Sequence, residues 1–492
     1  MEIYKKSEEL TRPLFVTFNY EAWPLSAHIE LLQESSRLGL NPLWLDLTGI
    51  FRNYFEFPVS DKLHIFLMKK KMHAAFPNLA IANVHSGGLD PCFEESEIIQ
   101  QAEIVAYQEL ISLTRNSKPC LRHNRRLFWK IRNLYISDYK FALRFLKEYK
   151  PTQVILFNGR FVEERAFWNA AKNLGLKVVF YETFIHSWTN RYFLFEEPTH
   201  SPAYRGQVME KFGNDLALSS PDKFDLVAKE FFEARALGEG NKFIEFQDSS
   251  TNFDSDLPIV SFFHSSQDEL IMVNLLDSFW TSQEMALQEL VEQLNILGRH
   301  RLVIRIHPHL LHKAREEIIR WNNLGKMYSS KFDWVTYIPA ESPANTYDLI
   351  RASKIVVTCA STVGVEASYL RKPSILLGRA FHEGMGITQV VNSRDQLRQY
   401  LTKAFSDETL DHAKMQAMKY GAFLQLGGQQ FQHVTVSALP RLTYRFNDVR
   451  ISKSLVVRII QHIEINLRNF LRKLKFSVLC NHDCGLDSSA GR

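Results

Sequence analysis

The sequence predicts an α/β protein with two doubly wound domains, and three observations lead to this fold class. Short apolar runs alternate with amphipathic segments in both halves of the chain, as strands and helices do in such folds. Of 492 residues, 45% are hydrophobic and 23% charged, which is typical of globular proteins and excludes a disordered or collagen-like chain. The polar stretch 238–256 separates the two alternating regions. We therefore expect domains at 1–240 and 257–410, followed by helices and a tail at 411–492.

The first half has the pattern of a parallel sheet. Strands are predicted at Leu14–Tyr20, Pro42–Leu47, Val154–Phe157 and Lys177–Tyr181. Helices are predicted at Leu25–Leu38, Leu127–Lys150 and Val162–Leu174, with several more between Phe51 and Arg126. Pro151 and Gly175 follow two of these helices as stop signals. Because strand–helix–strand successions at this spacing are typical of βαβ units, we expect parallel neighbours.

The second half repeats the alternation more regularly. Strands are predicted at Pro258–Phe263, Arg301–Ile306, Trp334–Ile338, Lys354–Thr358 and Ser374–Leu377. The helices between them are predicted at Glu284–Leu297, Leu311–Asn323, Asn345–Ala352 and Thr362–Leu370. Four successive crossovers predict a doubly wound domain.

Charge, cysteines and hydropathy indicate the class and the compartment. A formal charge of +5 is too dilute to predict nucleic-acid binding. The first ten residues, MEIYKKSEEL, lack the apolar run of a signal peptide, and no stretch reaches the roughly 18 apolar residues of a membrane span. Five scattered cysteines are typical of a reduced compartment. We expect a cytoplasmic protein with no cofactor and no nucleic-acid partner.

Polar residues follow the predicted strands of the second half. The segments His264–Glu269, His307–His309, Pro339–Ser342, Cys359–Thr362 and Gly378–Glu383 are rich in hydroxyl, imidazole and carboxylate groups. Parallel sheets bind ligands beyond the carboxyl ends of their strands. These segments therefore predict a ligand site at that edge.

Cys359–Glu366 (CASTVGVE) is the most informative of these segments. Here a buried strand turns directly into a helix, where free backbone N–H groups favour an anion. Ser361 and Thr362 can donate to a phosphate, Gly364 permits a close approach, and Glu366 can accept from ribose hydroxyls. The simpler interpretation is that Ser361 caps the helix and Glu366 is solvated. The segment is neither a Walker A loop nor a Gly-x-Gly-x-x-Gly turn.

His307-Pro308 is the second feature of this edge. Pro308 cannot continue a central strand, so it fixes His307 at the rim, where an imidazole can donate to a phosphate or a leaving group. Arg305 shares the face of His307 and is either a second cation or the partner of a carboxylate. A strand-end histidine with a purely structural role is the alternative.

The order of these motifs resembles bacterial capsule and surface-polysaccharide glycosyltransferases of GT-B fold, a group that includes Kdo transferases and bacterial sialyltransferases. The matching residues are His307-Pro308, Ser361-Thr362 with Gly364 and Glu366-Ala367, Lys372-Pro373, and the strand-end segment Phe262–Glu269. In the first half, Phe157–Ala171 (FNGRFVEERAFWNAA) with Tyr181-Glu182 resembles the Asn-Gly-Arg segment of capsule-synthesis proteins.

This resemblance implies two Rossmann-like domains that face each other across a cleft. The second domain would hold a nucleotide-sugar donor. His307, which we assign to catalysis, would contact the donor phosphate with Pro308 beside it. Ser361, Thr362 and Gly364 of the loop after the fourth strand of this domain would bind the same phosphate. Ser265 and Ser266 would line the phosphate side, and Glu366 would bind the ribose. No metal is implied, because the helix dipole and the histidine offset the leaving-group charge.

The catalytic base is less clear from the resemblance. Sialyltransferases carry an acidic Asp/Glu-Asp/Glu-Gly motif that supplies the base, and this sequence has no such triplet in its first half. Glu21, after the first strand, is our first candidate. Asn158, Arg160 and Glu182 follow two further strands and are assigned to the acceptor side or the cleft. Each of these residues could instead cap a helix or form a surface ion pair.

Ile451–Phe476 predicts a basic amphipathic helix. Its polar face carries six Lys or Arg residues and one Glu, so this segment accounts for most of the excess charge. Such a helix can lie on an anionic membrane or pack on the protein. We expect packing for Ile451–Ile463 and membrane contact for Asn466–Phe476.

Together these features predict a metal-independent glycosyltransferase. It would move a sugar, favoured as CMP-linked Kdo or a sialic-type sugar, to a surface polysaccharide or a lipid-linked acceptor. We expect it in the cytoplasm, peripheral at the inner face of the plasma membrane. A CDP-glycerol-type glycerophosphotransferase and a catalytically silent scaffold subunit of an assembly complex are the alternatives.

Overall fold

The structure is a computed structural model. It describes residues 12–18, 22–47, 59–76, 80–82, 96–183, 191–237, 252–272, 279–403, 405–437, 443–446, 449–451 and 457–464. The predicted base Glu21 lies outside these residues, as do 238–251 of the predicted linker and 465–476 of the predicted basic helix.

The strands alternate with helices along much of the chain. They are β1 (Pro13–Thr17), β2 (Leu43–Asp46), β3 (Ala80–Ala82), β4 (Gln153–Phe157), β5 (Lys177–Glu182), β6 (Arg191–Phe195), β7 (Ile259–Phe263), β8 (Arg301–Arg305), β9 (Val335–Ile338), β10 (Ser353–Thr358), β11 (Ser374–Leu376), β12 (Gln389–Val390), β13 (Gln429–Gln430), β14 (Thr435–Ser437), β15 (Thr443–Phe446) and β16 (Val449–Arg450).

The helices connect most of these strands. They are α1 (Ala22–Arg37), α2 (Val59–Ala75), α3 (Ser96–Thr114), α4 (Leu121–Tyr149), α5 (Val162–Asn173), α6 (Pro202–Ser219), α7 (Pro221–Ala236), α8 (Gln267–Met272), α9 (Gln283–Leu297), α10 (Arg315–Lys331), α11 (Thr346–Ala352), α12 (Val363–Tyr369), α13 (Arg394–Thr402) and α14 (Asp407–Leu426). A 3₁₀ helix covers Pro308–His312, and residues 457–464 are helical.

The chain divides into two compact units. The first comprises 1–88, 149–157 and 431–492, and the second comprises 89–148 and 158–430. These units interleave along the sequence, whereas the predicted domains are contiguous. The predicted boundaries, and the predicted cleft between the domains, stay predictions.

The first unit contains a parallel sheet in the order β3-β2-β1-β4. Helix α1 connects β1 to β2, and α2 connects β2 to β3, as a βαβ succession requires. The C-terminal part of the chain returns to α1. There the carboxylate of Glu30 accepts backbone N–H groups of Gln432, His433 and Val434, the last two at 2.8 Å.

The second unit contains a six-stranded parallel sheet in the order β9-β8-β7-β10-β11-β12. Counted from β7, this order is 3-2-1-4-5-6, which is the order of dinucleotide-binding Rossmann sheets. Of its central strands, β7 is buried throughout and β10 is buried except at Lys354. Both carry mostly β-branched and aromatic residues, which is typical of strands that are covered on both faces. The predicted fold class is therefore confirmed: the chain is α/β, with two Rossmann-like parallel sheets of the kind that GT-B enzymes have.

Three elements differ from the prediction. Strand β6 pairs with β5 and with β13, and both pairings are antiparallel. The helix predicted at Leu311–Asn323 is a 3₁₀ helix followed by α10, because Pro308 and the capping ring of His307 start a separate turn. Helix α4 begins at Leu121, six residues before the predicted start.

Candidate functional site

The candidate donor site lies at the carboxyl edge of the second unit's sheet. Strands β7 and β10 are neighbours there, and the strand order reverses between them. Ligands of doubly wound folds bind outside such a reversal point. Ser265 and Ser266 follow β7, His307 and Pro308 follow β8 beside it, and Ser361 and Thr362 follow β10. The sheet thus brings the six residues predicted for this edge to one side.

Ser265 ties two of these loops together. Its backbone N–H donates to Oε1 of Gln283 at 2.9 Å, and its carbonyl oxygen accepts from Nε2 of the same side chain at 2.9 Å. Its hydroxyl oxygen accepts the backbone N–H of Ala360, after β10, at 3.3 Å. Because Ser265 is 5% exposed, its geometry suits positioning of the loops better than direct ligand contact.

His307 is a neutral hydrogen-bond donor. Its Nδ1 accepts the backbone N–H of His309 at 3.0 Å and so caps the 3₁₀ helix. An accepting Nδ1 carries no proton, so the proton of the neutral ring is on Nε2. Burial, followed by the nearby His309, lowers the pKa of His307 to about 4. Near neutral pH the ring therefore carries no positive charge, and its proton is on Nε2.

His264, the residue directly after β7, begins a predicted strand-end segment, but the sequence assigns it no role. Its ring is 3% exposed and packs edge-on against Trp321 at 4.3 Å between centroids. Burial lowers its pKa well below the ordinary value, so the ring is neutral. Within the described part of the chain, neither ring nitrogen has a hydrogen-bond partner. The strand-end position was the available signal.

An ion-pair network fixes the loop after β7 to the 3₁₀ helix. The ammonium group of Lys313, with a side chain 1% exposed, lies 3.0 Å from a carboxylate oxygen of Asp268 and 2.9 Å from Oε1 of Glu269. His309 Nδ1 lies 3.4 Å from both the Ser266 hydroxyl oxygen and Glu269 Oε1. This network holds Ser266 beside the His307 turn.

The loop from β10 into α12 is closed by local contacts. The hydroxyl oxygen of Ser361 accepts the backbone N–H of Val363 at 3.2 Å. A Cβ atom on Gly364 would lie 3.1 Å from Ser374 Oγ and 3.2 Å from Thr388 Cγ2. The groups that approach Gly364 closely are thus the protein's own Ser374 and Thr388 side chains. The absence of a Cβ atom at Gly364 lets α12 pack on the sheet.

Glu366 is buried and paired. Its Oε1 accepts from Nε of Arg235 at 2.9 Å and from Nη2 at 2.5 Å, and its side chain is 5% exposed. Arg235 Nη2 also donates to the hydroxyl oxygen of Thr362 at 3.3 Å. The alternative of a solvated helix residue is therefore wrong. If a ribose contacts Glu366, its hydroxyl groups donate to a carboxylate that is already paired with Arg235.

The Asn-Gly-Arg segment forms a second cluster at the end of β5. Asn158 and Gly159 both adopt positive φ, at 50° and 77°. A Cβ atom on Gly159 would lie 2.5 Å from the Phe180 ring, so this turn requires glycine. The turn lets the Asn158 amide donate to the carboxylate of Glu182. Burial raises the pKa of Glu182 to about 7.

Cationic side chains surround this carboxylate. Arg160 and Arg205 both act electrostatically on Glu182, and Arg160 stacks on the Phe161 ring at 4.8 Å. Arg205 donates to the carbonyl oxygen of Thr199 at 3.3 Å. Burial and the charges of Arg165, Arg160 and Arg205 lower the pKa of His200 to about 3. The structure thus brings Asn158, Arg160 and Glu182 together, and the charge of the cluster suits an anionic group.

Among the residues that the structure describes, no group of three or more His, Cys, Asp or Glu side chains could hold a metal ion. No helix within the described ranges is long and apolar enough to cross a membrane.

Rossmann-like parallel sheets bind ligands beyond the carboxyl ends of their strands. Residues 278–426 match the family model of capsule polysaccharide biosynthesis proteins. This part of the chain contains His307, Ser361 and Glu366, and its match to that family model confirms the predicted resemblance.

Several solved structures are similar in fold. KpsC of Thermosulfurimonas dismutans, as a β Kdo 2,4 transferase, aligns at 12% identity with a TM-score of 0.34, over 63% of this chain and 87% of that chain. The β Kdo 2,7 transferase of the same protein aligns at 14% identity with a TM-score of 0.35, over 66% and 89%. UDP-GlcNAc 2-epimerase of Neisseria meningitidis aligns at 14% identity with a TM-score of 0.30, over 85% and 96%. No curated protein matches the chain in sequence.

Proposed function

We propose that the protein is a nucleotide-sugar-dependent glycosyltransferase of capsule or surface-polysaccharide synthesis. One observation carries this proposal: a neutral Nε2–H donor and two hydroxyl-bearing loops converge where the strand order of a Rossmann-like sheet reverses. That combination suits the phosphate of a nucleotide-linked leaving group. The capsule-synthesis family of residues 278–426 supports a polysaccharide product.

In this proposal each loop has its own task. His307 donates from Nε2 to a phosphate oxygen of the donor, and Pro308 holds the ring at the strand end. Ser266, Ser361 and Thr362 supply hydroxyl donors, while Ser265 and Gly364 position their loops. The Arg235–Glu366 pair lies at the first turn of α12, where its carboxylate would meet the ribose. Fixed donors of this kind stabilise departing phosphate without a metal ion.

We assign the acceptor side to Asn158, Arg160 and Glu182. A carboxyl whose pKa is about 7 exchanges its proton near neutral pH, which a general base requires. Glu182 is thus a second candidate for the base, beside Glu21, which stays a prediction outside the described residues. The arginines around Glu182 favour an acidic glycan or a phosphate-bearing lipid-linked acceptor.

A CMP-linked Kdo or sialic-type sugar is the donor that we favour, because the His-Pro and Ser-Thr motifs resemble those of enzymes that use such donors. The C-terminal segment 451–476 would contact an anionic membrane from the cytoplasmic side. Ile459 and Ile463, in the part predicted to pack on the protein, are 51% and 59% exposed. Residues 466–476, predicted to contact the membrane, lie outside the described residues.

Two observations favour a catalytically silent scaffold as the second candidate. The hydroxyl of Ser265 and the carboxylate of Glu366, both predicted to contact the donor, are already bonded within the protein. A scaffold would keep these contacts and bind no donor.

The proposal is tested with purified protein and three donors, namely CMP-Kdo, CMP-sialic acid and CDP-glycerol. We expect CMP release from a CMP-linked sugar when capsule oligosaccharide is added. Release from CDP-glycerol alone would favour the glycerophosphotransferase. The absence of turnover with every nucleotide-linked donor, in a folded protein, would refute the enzyme and favour the scaffold.

A further inference from the structure

Helix α4 presents an exposed basic face in its first third. Arg122, Arg125, Arg126 and Lys130 are exposed, and their spacing of three and four places them on one side of the helix. The opposite side, from Ile131 through Tyr135 and Asp138, is buried. The helix is thus anchored by one face and exposes a continuous strip of positive charge on the other.

The positive charge extends beyond the helix and has no acidic counterpart in sequence. Between Arg115 and Ser137 the chain has seven Lys or Arg residues and one His, and no Asp or Glu. On the flanks, Lys118 pairs with Glu284 and Arg132 with Glu103. Within the described ranges, the three arginines Arg122, Arg125 and Arg126 form no ion pair.

Helix stability does not explain these cations. The first turn of α4 has no acidic residue, and Arg122 and Arg125 lie close to the helix N-terminus. The positive end of the helix dipole repels cations placed there. Their position is therefore unfavourable for the helix itself, which points to an external partner.

Large apolar side chains are interleaved with the charges. Leu121 is 47% exposed and Trp129 is 41% exposed, and the Arg132 guanidinium lies 4.9 Å from the centre of the Trp129 ring. Exposed Trp and Leu beside Arg and Lys are typical of helices that lie at the boundary between lipid headgroups and acyl chains.

We propose that the α4 basic face, residues 121–132, docks on an anionic lipid surface. The arginines pair with lipid phosphate groups, while Leu121 and Trp129 enter the interface. A soluble polyanion would use the same charges, but it offers no apolar layer for Leu121 and Trp129. This surface is independent of the donor chemistry and of segment 451–476.

The binding strength follows from the charge. Each Lys or Arg near an anionic membrane contributes about a five-fold gain in affinity, so three arginines together contribute about 100-fold. Salt screens exposed charges, and the screening length is ~10 Å at 0.1 M. Vesicle binding should therefore weaken strongly when the salt concentration is raised from 50 to 300 mM.

The test is co-sedimentation of the full chain with vesicles of 70% phosphatidylcholine and 30% phosphatidylglycerol, and with pure phosphatidylcholine vesicles. The variant Arg122→Gln/Arg125→Gln/Arg126→Gln removes three charges from the α4 basic face. The control Arg299→Gln/Lys326→Gln/Lys331→Gln removes three exposed charges elsewhere. Thermal unfolding of both variants reports on folding, and the α4 variant should be no less stable than the wild type.

We expect the wild type and the control to bind the anionic vesicles, and the α4 variant to bind about 100-fold more weakly. Trp129→Ser should weaken binding at 300 mM salt, where charge contributes least. Equal binding by the α4 variant and the wild type would overturn the proposal. So would wild-type binding to a soluble anionic polysaccharide with none to vesicles, or vesicle binding that is lost only when residues after Ser454 are deleted.

Discussion

Two substitutions at His307 separate its two hydrogen bonds. Nδ1 caps the 3₁₀ helix by accepting the His309 N–H at 3.0 Å, and Nε2 carries the proton that we assign to the donor phosphate. His307→Asn keeps a side-chain acceptor for the cap, because asparagine is among the best N-cap residues, but it has no atom at the Nε2 position. His307→Ala removes both bonds.

The expected magnitudes follow from this geometry. Losing one donor to a developing charge costs about 100- to 1,000-fold in turnover, and losing a cap costs about 1 kcal/mol of stability. Both variants should therefore lose turnover to the same degree, while only His307→Ala should unfold at lower denaturant concentration. The exposed His312 of the same turn provides the control, since His312→Ala should retain turnover.

The pH dependence of turnover tests whether His307 acts as a neutral ring. With a pKa of about 4, roughly one ring in a thousand is protonated at pH 7. CMP release from CMP-Kdo is measured from pH 5 to 8 for the wild type and for His307→Asn. The two pH profiles should have the same shape, because His307 does not titrate in this range. An inflection near pH 6.5 that this variant abolishes would refute the neutral donor, because it would mean that the cation acts.

Three further substitutions test the surrounding structure. Because burial raises the pKa of Glu182 to about 7, the native state retains a proton that the unfolded chain releases, so this group lowers stability as pH rises from about 4.5 to 7. Glu182→Gln should flatten that decline, by up to about 3 kcal/mol, in urea unfolding at pH 5 and 8, and an unchanged slope would contradict it. Arg235→Met leaves Glu366 buried without its cation and should lower the free energy of unfolding by about 2 kcal/mol. This is less than the roughly 3–5 kcal/mol of a fully buried pair, because Arg235 is 37% exposed. The double variant Arg235→Met/Glu366→Met should recover most of the lost stability, and no recovery would contradict the pairing. Gly378→Ala places a Cβ atom 2.2 Å from the carbonyl oxygen of Cys359 and should cost about 1–3 kcal/mol in thermal unfolding, whereas wild-type stability would show that the loops are less close.

The parallel sheets could be predicted because their strands are buried on both faces. Runs such as PIVSFF at Pro258–Phe263 and KIVVT at Lys354–Thr358 combine β-branched residues with regular spacing, which specifies both strand type and crossover. Strand β6 could not be placed in the same way. Its antiparallel pairing with β5 and β13 depends on tertiary contacts that leave no local pattern.

The strand ends could be found from sequence, but the partners of their side chains could not. His307 and Ser361 were located because residues after parallel strands meet at one edge. Gln283 and Arg235 lie on two different helices, and Lys313 follows the 3₁₀ helix. All three reach their partners only in the fold. Because the sequence does not identify these partners, it cannot predict that Ser265 connects two loops by hydrogen bonds.

The distribution of charge shows where a helix boundary matters. The sequence predicts that the long helix starts at Leu127, so Arg122, Arg125 and Arg126 fall in the segment 51–126, where several helices are expected without bounds. Most of the excess charge is then attributed to 451–476. Because α4 begins at Leu121, these arginines are on a helix, and helical spacing places them beside Lys130 on one face.

Binding of free nucleotides tests the central claim most directly. The claim is that the edge at β7, β8 and β10 binds a nucleotide-linked donor. Thermal unfolding of the wild type and of His307→Asn is measured with CMP, CDP, UDP and GDP, since a ligand at about 100 times its Kd stabilises the native state by about 2.7 kcal/mol. We expect CMP to raise the melting temperature of the wild type most and that of His307→Asn less. No rise with any of the four nucleotides would contradict the donor site.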